Sequence, residues 1–170
     1  MSKEETLTQQ RLKELFHYNP ETGLFLRLKT VASRAKKGDI AGCLRVQDGY
    51  LQIYIDYNSF LAHRLAFFYM LGFFPQEIDH INHIRNDNRW GNLRSANSTI
   101  NGRNSSISKK NSSGVTGVNW DKTLNKWRAR IKVDYKDKHL GFFDKLEDAI
   151  ACRKSANKLY GFHENHGSPF

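Results

Sequence analysis

The chain has 170 residues, with 27 Lys and Arg against 17 Asp and Glu and a formal net charge of +10. That length allows one ordinary domain or two small ones, and the charge predicts an anionic partner, of which nucleic acid is the commonest. The opening SKEETLTQQ has no apolar stretch, and no run approaches the roughly 18 apolar residues of a membrane span, so a protein without signal peptide or span, in the cytoplasm, is expected. Cys43 and Cys152 are the only cysteines and lie outside any CxxC spacing, which excludes a cysteine-based zinc site and fits a reducing compartment.

Thr8 can cap a short helix in which Leu12, Leu15 and Phe16 follow helical spacing. Asn19 to Gly23 is turn chemistry, and Leu24 to Leu28 reads as a strand. Residues 30–39 are polar and basic, with Arg34, Lys36 and Lys37 as candidate phosphate contacts or a solvated loop. Residues 49–55 alternate Leu51, Ile53 and Ile55 against Tyr50, Gln52 and Tyr54, as a half-buried strand does. Ser59 can cap a buried helix carrying Leu61, Leu65 and Phe68 that ends before Gly72 and Pro75, with His63 as an orienting or structural residue.

The stretch from Glu77 to Asn104, EIDHINHIRNDNRWGNLRSANSTINGRN, is too rich in asparagine to be mostly core. It sets Asp79-His80 ahead of Asn92 and Asn101. Carboxylate and amide oxygens suit a hard divalent cation such as Mg²⁺ or Mn²⁺, and a neutral imidazole beside such an ion can take a proton from water. Taken alone, an Asp-His pair is as well a solvated turn, and asparagines are common in loops.

The order D-H-x-N, D-N-R-x-x-N-L-R, N-x-x-N resembles the HNH nuclease motif with asparagine as its last member, and Ala62-His63-Arg64-Leu65 resembles the helix upstream of it in phage homing endonucleases. The resemblance implies a ββα-metal fold, a hairpin with a long loop followed by a crossing helix. It implies Asp79 and Asn101 as ligands of one Mg²⁺ or Mn²⁺ per active site, His80 as general base, and Asn92 as the residue that fixes the loop and orients the histidine. Arg85, Arg89 and Arg94 are expected to clamp neighbouring phosphates.

Residues 102–113, GRNSSISKKNSS, read as a basic flexible linker in which Arg103, Lys109 and Lys110 can follow a phosphate backbone. The charge is uneven: 13 basic and 10 acidic residues up to Asn101, 14 and 7 after it. From Gly114 on, Thr116 to Trp120, Lys126 to Val133 and Lys138 to Phe143 read as three strands. A helix follows, with Leu146, Ala149, Ile150, Arg153, Ala156, Asn157 and Tyr160 at helical spacing, Asp144 as N-cap and Gly161 as stop. In the middle strand Ala129, Ile131 and Val133 would face that helix and Arg128, Arg130 and Lys132 the solvent, on a ribbon of the right width for a major groove. Trp120 and Trp127 are first of all candidates for core packing.

SGVTGVNW, KWRARI, HLGFF and EDAIACRKSANKLYG resemble the plant ethylene-response-factor (Apetala-type) DNA-binding domain over residues 113–163, in which the sheet reads DNA. Thr116, Asn119 and His139 depart from the plant pattern, so the plant target does not carry over. Asn119, Lys138 and His139 join Arg128, Arg130 and Lys132 as expected DNA contacts. The whole reads as an α+β protein: an N-terminal HNH nuclease domain (1–101), the linker (102–113), and a three-stranded antiparallel sheet on one helix (114–170). The expected activity is that of a homing-type, metal-dependent endonuclease of double-stranded DNA with no obligate protein partner, in the host cytoplasm if phage-encoded. The rival is a DNA-binding regulator that no longer cuts, and a weaker rival is a nuclease acting on RNA.

Overall fold

The computed structural model describes residues 3–168, which divide into two compact units between Asn97 and Ser98. The boundary falls a few residues before the expected one and assigns Asn101 to the second unit.

The first unit begins with α1 (Lys3–Thr6) and α2 (Gln9–Leu15). Thr8 caps α2 as expected, its hydroxyl accepting from the Arg11 amide at 3.1 Å, and Leu12 and Leu15 turn inward. β1 (Phe16–Asn19) pairs antiparallel with β2 (Leu24–Arg27), and β2 with the short β3 (Ile40–Ala41). A second sheet runs β4 (Cys43–Leu44), β5 (Leu51–Ile55), β6 (Asn58–Leu61). In β5 the expected alternation holds: Ile53 and Ile55 are buried and Tyr54 is exposed.

Ser59 does not cap the next helix. Asp56 and Tyr57, both at positive φ, close a two-residue hairpin turn, so Asn58 and Ser59 are drawn into β6. The helix α3 (Ala62–Leu71) starts after Leu61 without a side-chain cap and ends at Gly72, whose φ of 78° makes the left-handed stop. Its inner face, with Leu65, Ala66 and Phe67, completes a core shared with Leu12, Phe16, Phe25 and Ile53. β7 (Glu77–His80) and β8 (Leu93–Ala96) form the last hairpin of this unit, joined by the long connection 81–92.

The second unit holds α4 (Ser98–Arg103), then β9 (Val118–Asp121), β10 (Lys126–Val133) and β11 (Lys136–Phe143) in one antiparallel sheet with β10 central, then α5 (Leu146–Leu159). Ala129, Ile131 and Val133 are buried with Ala149 and Ala156 of α5, the pairing that the alternation along β10 predicts. Trp127 packs against this core, whereas Trp120 remains 41% exposed and meets Trp127 edge-on at 5.2 Å. Asp144 is not the cap of α5: Lys145 holds that position without a side-chain hydrogen bond, and Asp144 pairs with Lys126 at 3.2 Å.

The stretch expected as a flexible linker is tied down within this unit. Asn104 and Ser113 are buried, the Ser113 hydroxyl donates to the Val118 carbonyl at 2.7 Å, and Ile107 and Gly167 donate backbone bonds to Ser168 and Ser105. The small polar residues that look like linker composition supply side-chain bonds to the backbone, which is how such residues order an irregular segment. Among the described residues no helix is long and apolar enough to cross a membrane.

The β1–β2 turn reaches the 81–92 connection. Gly23 sits at φ 73°, and a Cβ there would lie 2.4 Å from the Asn88 carbonyl carbon and 2.5 Å from the Arg89 amide. Gly23→Ala is therefore expected to destabilise the first unit by about 1–3 kcal/mol, read as a lower urea midpoint at unchanged m-value.

Candidate active site

The β7–β8 hairpin sends its consecutive residues to opposite faces, so Asp79 and His80 point apart. Asp79 pairs across the hairpin with Arg94, whose Nε and Nη2 reach its Oδ2 at 2.9 and 2.7 Å. His80 is 5% exposed and turns toward α3.

Around His80 the structure gathers an aromatic cluster. The His63 ring of α3 meets it edge-on at 5.0 Å, and Tyr50 lies 4.9 Å from His63 and 5.8 Å from His80. His80 Nε2 is 3.3 Å from the Asn88 side-chain oxygen. An amide oxygen only accepts, so in this contact Nε2 is the donor. Burial lowers the His80 pKa below the usual histidine value, with the Asn88 contact opposing it. A buried imidazole kept neutral is the form able to accept a proton.

The connection 81–92 is stitched from within by Asn92. Its side-chain oxygen accepts from the Asn82 amide at 3.0 Å and its nitrogen donates to the Asp87 carbonyl at 2.8 Å. Asn82 donates in turn to Asp87 Oδ2 at 2.6 Å, and Arg89 makes a two-pronged pair with the same carboxylate. The Arg89 hydrogen bonds hold the Asp87 carboxyl below its usual pKa. From outside, Tyr18 donates to the Asn88 carbonyl at 2.7 Å and the Trp90 amide to the Pro20 carbonyl at 2.8 Å.

Asp79 and His80 thus occupy opposite faces of one hairpin with Asn92 in its loop, while Asn101 lies on α4 of the second unit. The three arginines expected as phosphate clamps have internal contacts: Arg94 on Asp79, Arg89 on Asp87, and Arg85 over the Tyr50 ring at 5.3 Å with Nη1 on the Asp48 carbonyl. Asn88, Tyr50 and Tyr18 were not singled out from sequence. Their partners lie tens of residues away, or, for Asn88, across a loop whose path the local pattern does not reveal. His63, expected as an orienting or structural residue, stands directly against His80.

In the second unit, Arg128, Arg130 and Lys132 share one face of β10, joined by their cross-strand partners Asn119 and His139. Lys138 stands apart: it pairs with the inward-facing Ile131 and lies over the Tyr160 ring at 4.6 Å, on the helix side. Lys109 and Lys110 are exposed on a turn, and Arg103 reaches Asp134 at 3.7 Å.

With this geometry in place, comparison with known families is informative. Residues 60–103 match a family model described as HNH endonuclease. The match supports reading the chain as an HNH nuclease, and it sits mid-chain, from the end of β6 to the end of α4, after two small sheets rather than at the N-terminus. No curated protein and no solved structure matches the chain.

Asn92→Ala removes both internal stitches of the loop and is expected to destabilise the first unit by about 2 kcal/mol, measurable by urea denaturation. His63 gives a pH signature. Burial, with the neighbouring His80 and Arg64, lowers its pKa from 6.5 to about 3. The unfolded chain therefore binds a proton that the folded one refuses. Stability should fall as pH drops below 6.5 and keep falling toward 3. Urea midpoints at a series of pH values, compared with a His63→Phe variant whose slope should be shallower, check this.

Proposed function

We propose that the protein is a metal-dependent endonuclease of double-stranded DNA, of the homing type, with His80 as general base. The observation that carries the reading is His80 itself: a buried, neutral imidazole at the end of β7, fixed by Asn88 and walled by His63, inside the segment that matches the HNH family.

His80 takes the proton of the attacking water. Asn92 acts through the loop, holding the turn that carries Asn88, and is a positioning residue. Asp79 and Asn101 offer carboxylate and amide oxygens, the hard donors that Mg²⁺ or Mn²⁺ takes, and in this reading they hold one such ion. When bound, the ion supplies electrostatic stabilisation for the charge developing on the phosphate.

Arg85, Arg89 and Arg94 contribute to the positive potential around the phosphate from the positions in which their carboxylate and carbonyl partners hold them. In the second unit, the face bearing Arg128, Arg130, Lys132, Asn119 and His139 is the proposed DNA-reading surface of an ethylene-response-factor-like domain. Arg103, Lys109, Lys110 and Lys138 add phosphate contacts that raise affinity without reading sequence. No protein partner is needed for this reading.

The rival, a DNA-binding regulator that does not cut, has one observation in its favour. Arg94 already neutralises the Asp79 carboxylate, an arrangement that is stable without an ion. Plasmid cleavage separates the two. Supercoiled DNA carrying a target site should convert to open circle or linear form in Mg²⁺ or Mn²⁺ and stay intact in EDTA. His80→Ala should abolish conversion while leaving the gel shift nearly unchanged. DNA shifted yet uncut in every metal would favour the regulator, and an active His80→Ala protein would remove His80 from the mechanism.

A further inference from the structure

The first unit contains a cavity of about 370 Å³ that none of these roles uses. It lies among the end of α2, the end of β2 and the β5–β6 turn. Leu15, Phe16 and Ile55 form its buried floor, and Tyr54 and Tyr57 line it from β5 and from the turn. Arg27 and Lys29 contribute two cations to the lining.

The tyrosines stand out by exposure and by backbone. Tyr54 is 56% exposed and Tyr57 wholly so. Asp56 and Tyr57 have φ of 46° and 65°. A two-residue turn of this hand favours Asn-Gly or Asp-Gly, because both central residues must take positive φ. A tyrosine in the glycine place costs strain and turns an aromatic ring to solvent, and neither serves the hairpin.

The charge at the cavity is positive. Among the described residues Asp56 is the only carboxylate in the lining, and Arg11 holds it with two hydrogen bonds of 3.0 and 2.9 Å. Those bonds keep the Asp56 carboxyl below its ordinary pKa. Arg27 lies over the Phe16 ring at 5.4 Å, a contact that holds it without a counter-charge, and Lys29 is exposed. The loop that continues from Lys29 carries the exposed Arg34, Lys36 and Lys37. It is fixed by its own bonds: the Val31 amide donates to the Ala35 carbonyl and the Lys37 amide to the Thr30 hydroxyl, each at 3.0 Å.

Accessible aromatic rings above an apolar floor offer a flat ligand a stacking surface, and the cations select one that carries negative charge. A nucleotide has both parts, and its base can stack on a side chain where it is unpaired. The volume falls in the range of small-molecule sites.

We propose that this cavity binds an unpaired nucleotide, its base against Tyr54 and Tyr57 and its phosphate on Arg27 and Lys29. Neighbouring phosphates of the same strand would follow the loop that carries Arg34, Lys36 and Lys37. The site uses no residue of the β7–β8 hairpin or of the second unit, so it does not rest on the nuclease reading.

Fluorescence anisotropy of the full-length protein in EDTA, with a labelled oligothymidylate, tests it. The control is an abasic strand of the same length and charge. Wild type should bind the thymidylate about tenfold more tightly than the abasic strand. Tyr57→Gly should remove most of that preference, while its melting temperature stays unchanged or rises because glycine takes positive φ without strain. Lys29→Gln should weaken binding of both strands and lower the slope of log affinity against log salt by about 0.7.

Equal wild-type affinity for the two strands would overturn the site, leaving only general attraction to phosphate. So would a Tyr57→Gly protein that keeps the base preference, or one that loses as much affinity for a duplex as for the single strand. A Lys29→Gln protein that binds like wild type would overturn it too. Displacement of the thymidylate by thymidine monophosphate at matching concentration would support the site with a free nucleotide as its source. Displacement only by a second unpaired strand would support it with a strand.

Discussion

The arrangement depends on one loop being held from both sides. Residues 81–92 have almost no regular structure, yet they carry Asn88, whose side chain meets the catalytic candidate His80. Asn92 braces the loop from inside through Asn82 and Asp87, and the first hairpin braces it from outside through Tyr18 and the close approach of Gly23. A buried polar network of this kind is rigid only when its members are all satisfied. The N-terminal hairpin, far from the motif in sequence, is in this sense part of the site.

The histidine cluster follows from the same economy of space. α3 runs behind the β7–β8 hairpin and presents His63 where a purely apolar helix would present a leucine. Burial lowers both pKa values, and the His80 ring further discourages His63 from charging. A general base is served by that, because it must begin neutral. Asp79, on the opposite face of the hairpin, is oriented by Arg94 instead.

The second unit uses a different logic. Its sheet separates an apolar face against α5 from a basic face, and the split follows directly from the alternation along β10. The bulge between Ala129 and Arg130 lets Leu140 turn inward to both small core clusters while His139 joins Arg130 on the basic side. Arg153 breaks the pattern, a cation on the apolar side that donates to the Thr116 carbonyl and meets His166 and the Phe162 ring.

Local pattern alone determined much of this protein. The Thr8 cap, the alternation in β5 and β10 and the Gly72 stop were all legible, because periodicity and capping chemistry act over a few residues. Ser59 and Asp144 were misread as caps for the same reason: each is a good cap by composition, but a two-residue hairpin turn drew one into a strand, and Lys126 drew the other into an ion pair. What surrounds His80 was decided only in three dimensions. Tyr18 and Asn88 are 70 residues apart, Arg94 meets Asp79 through the hairpin register, and His63 reaches His80 from another element. Contacts across such separations depend on how the elements pack, and no short stretch of chain records that.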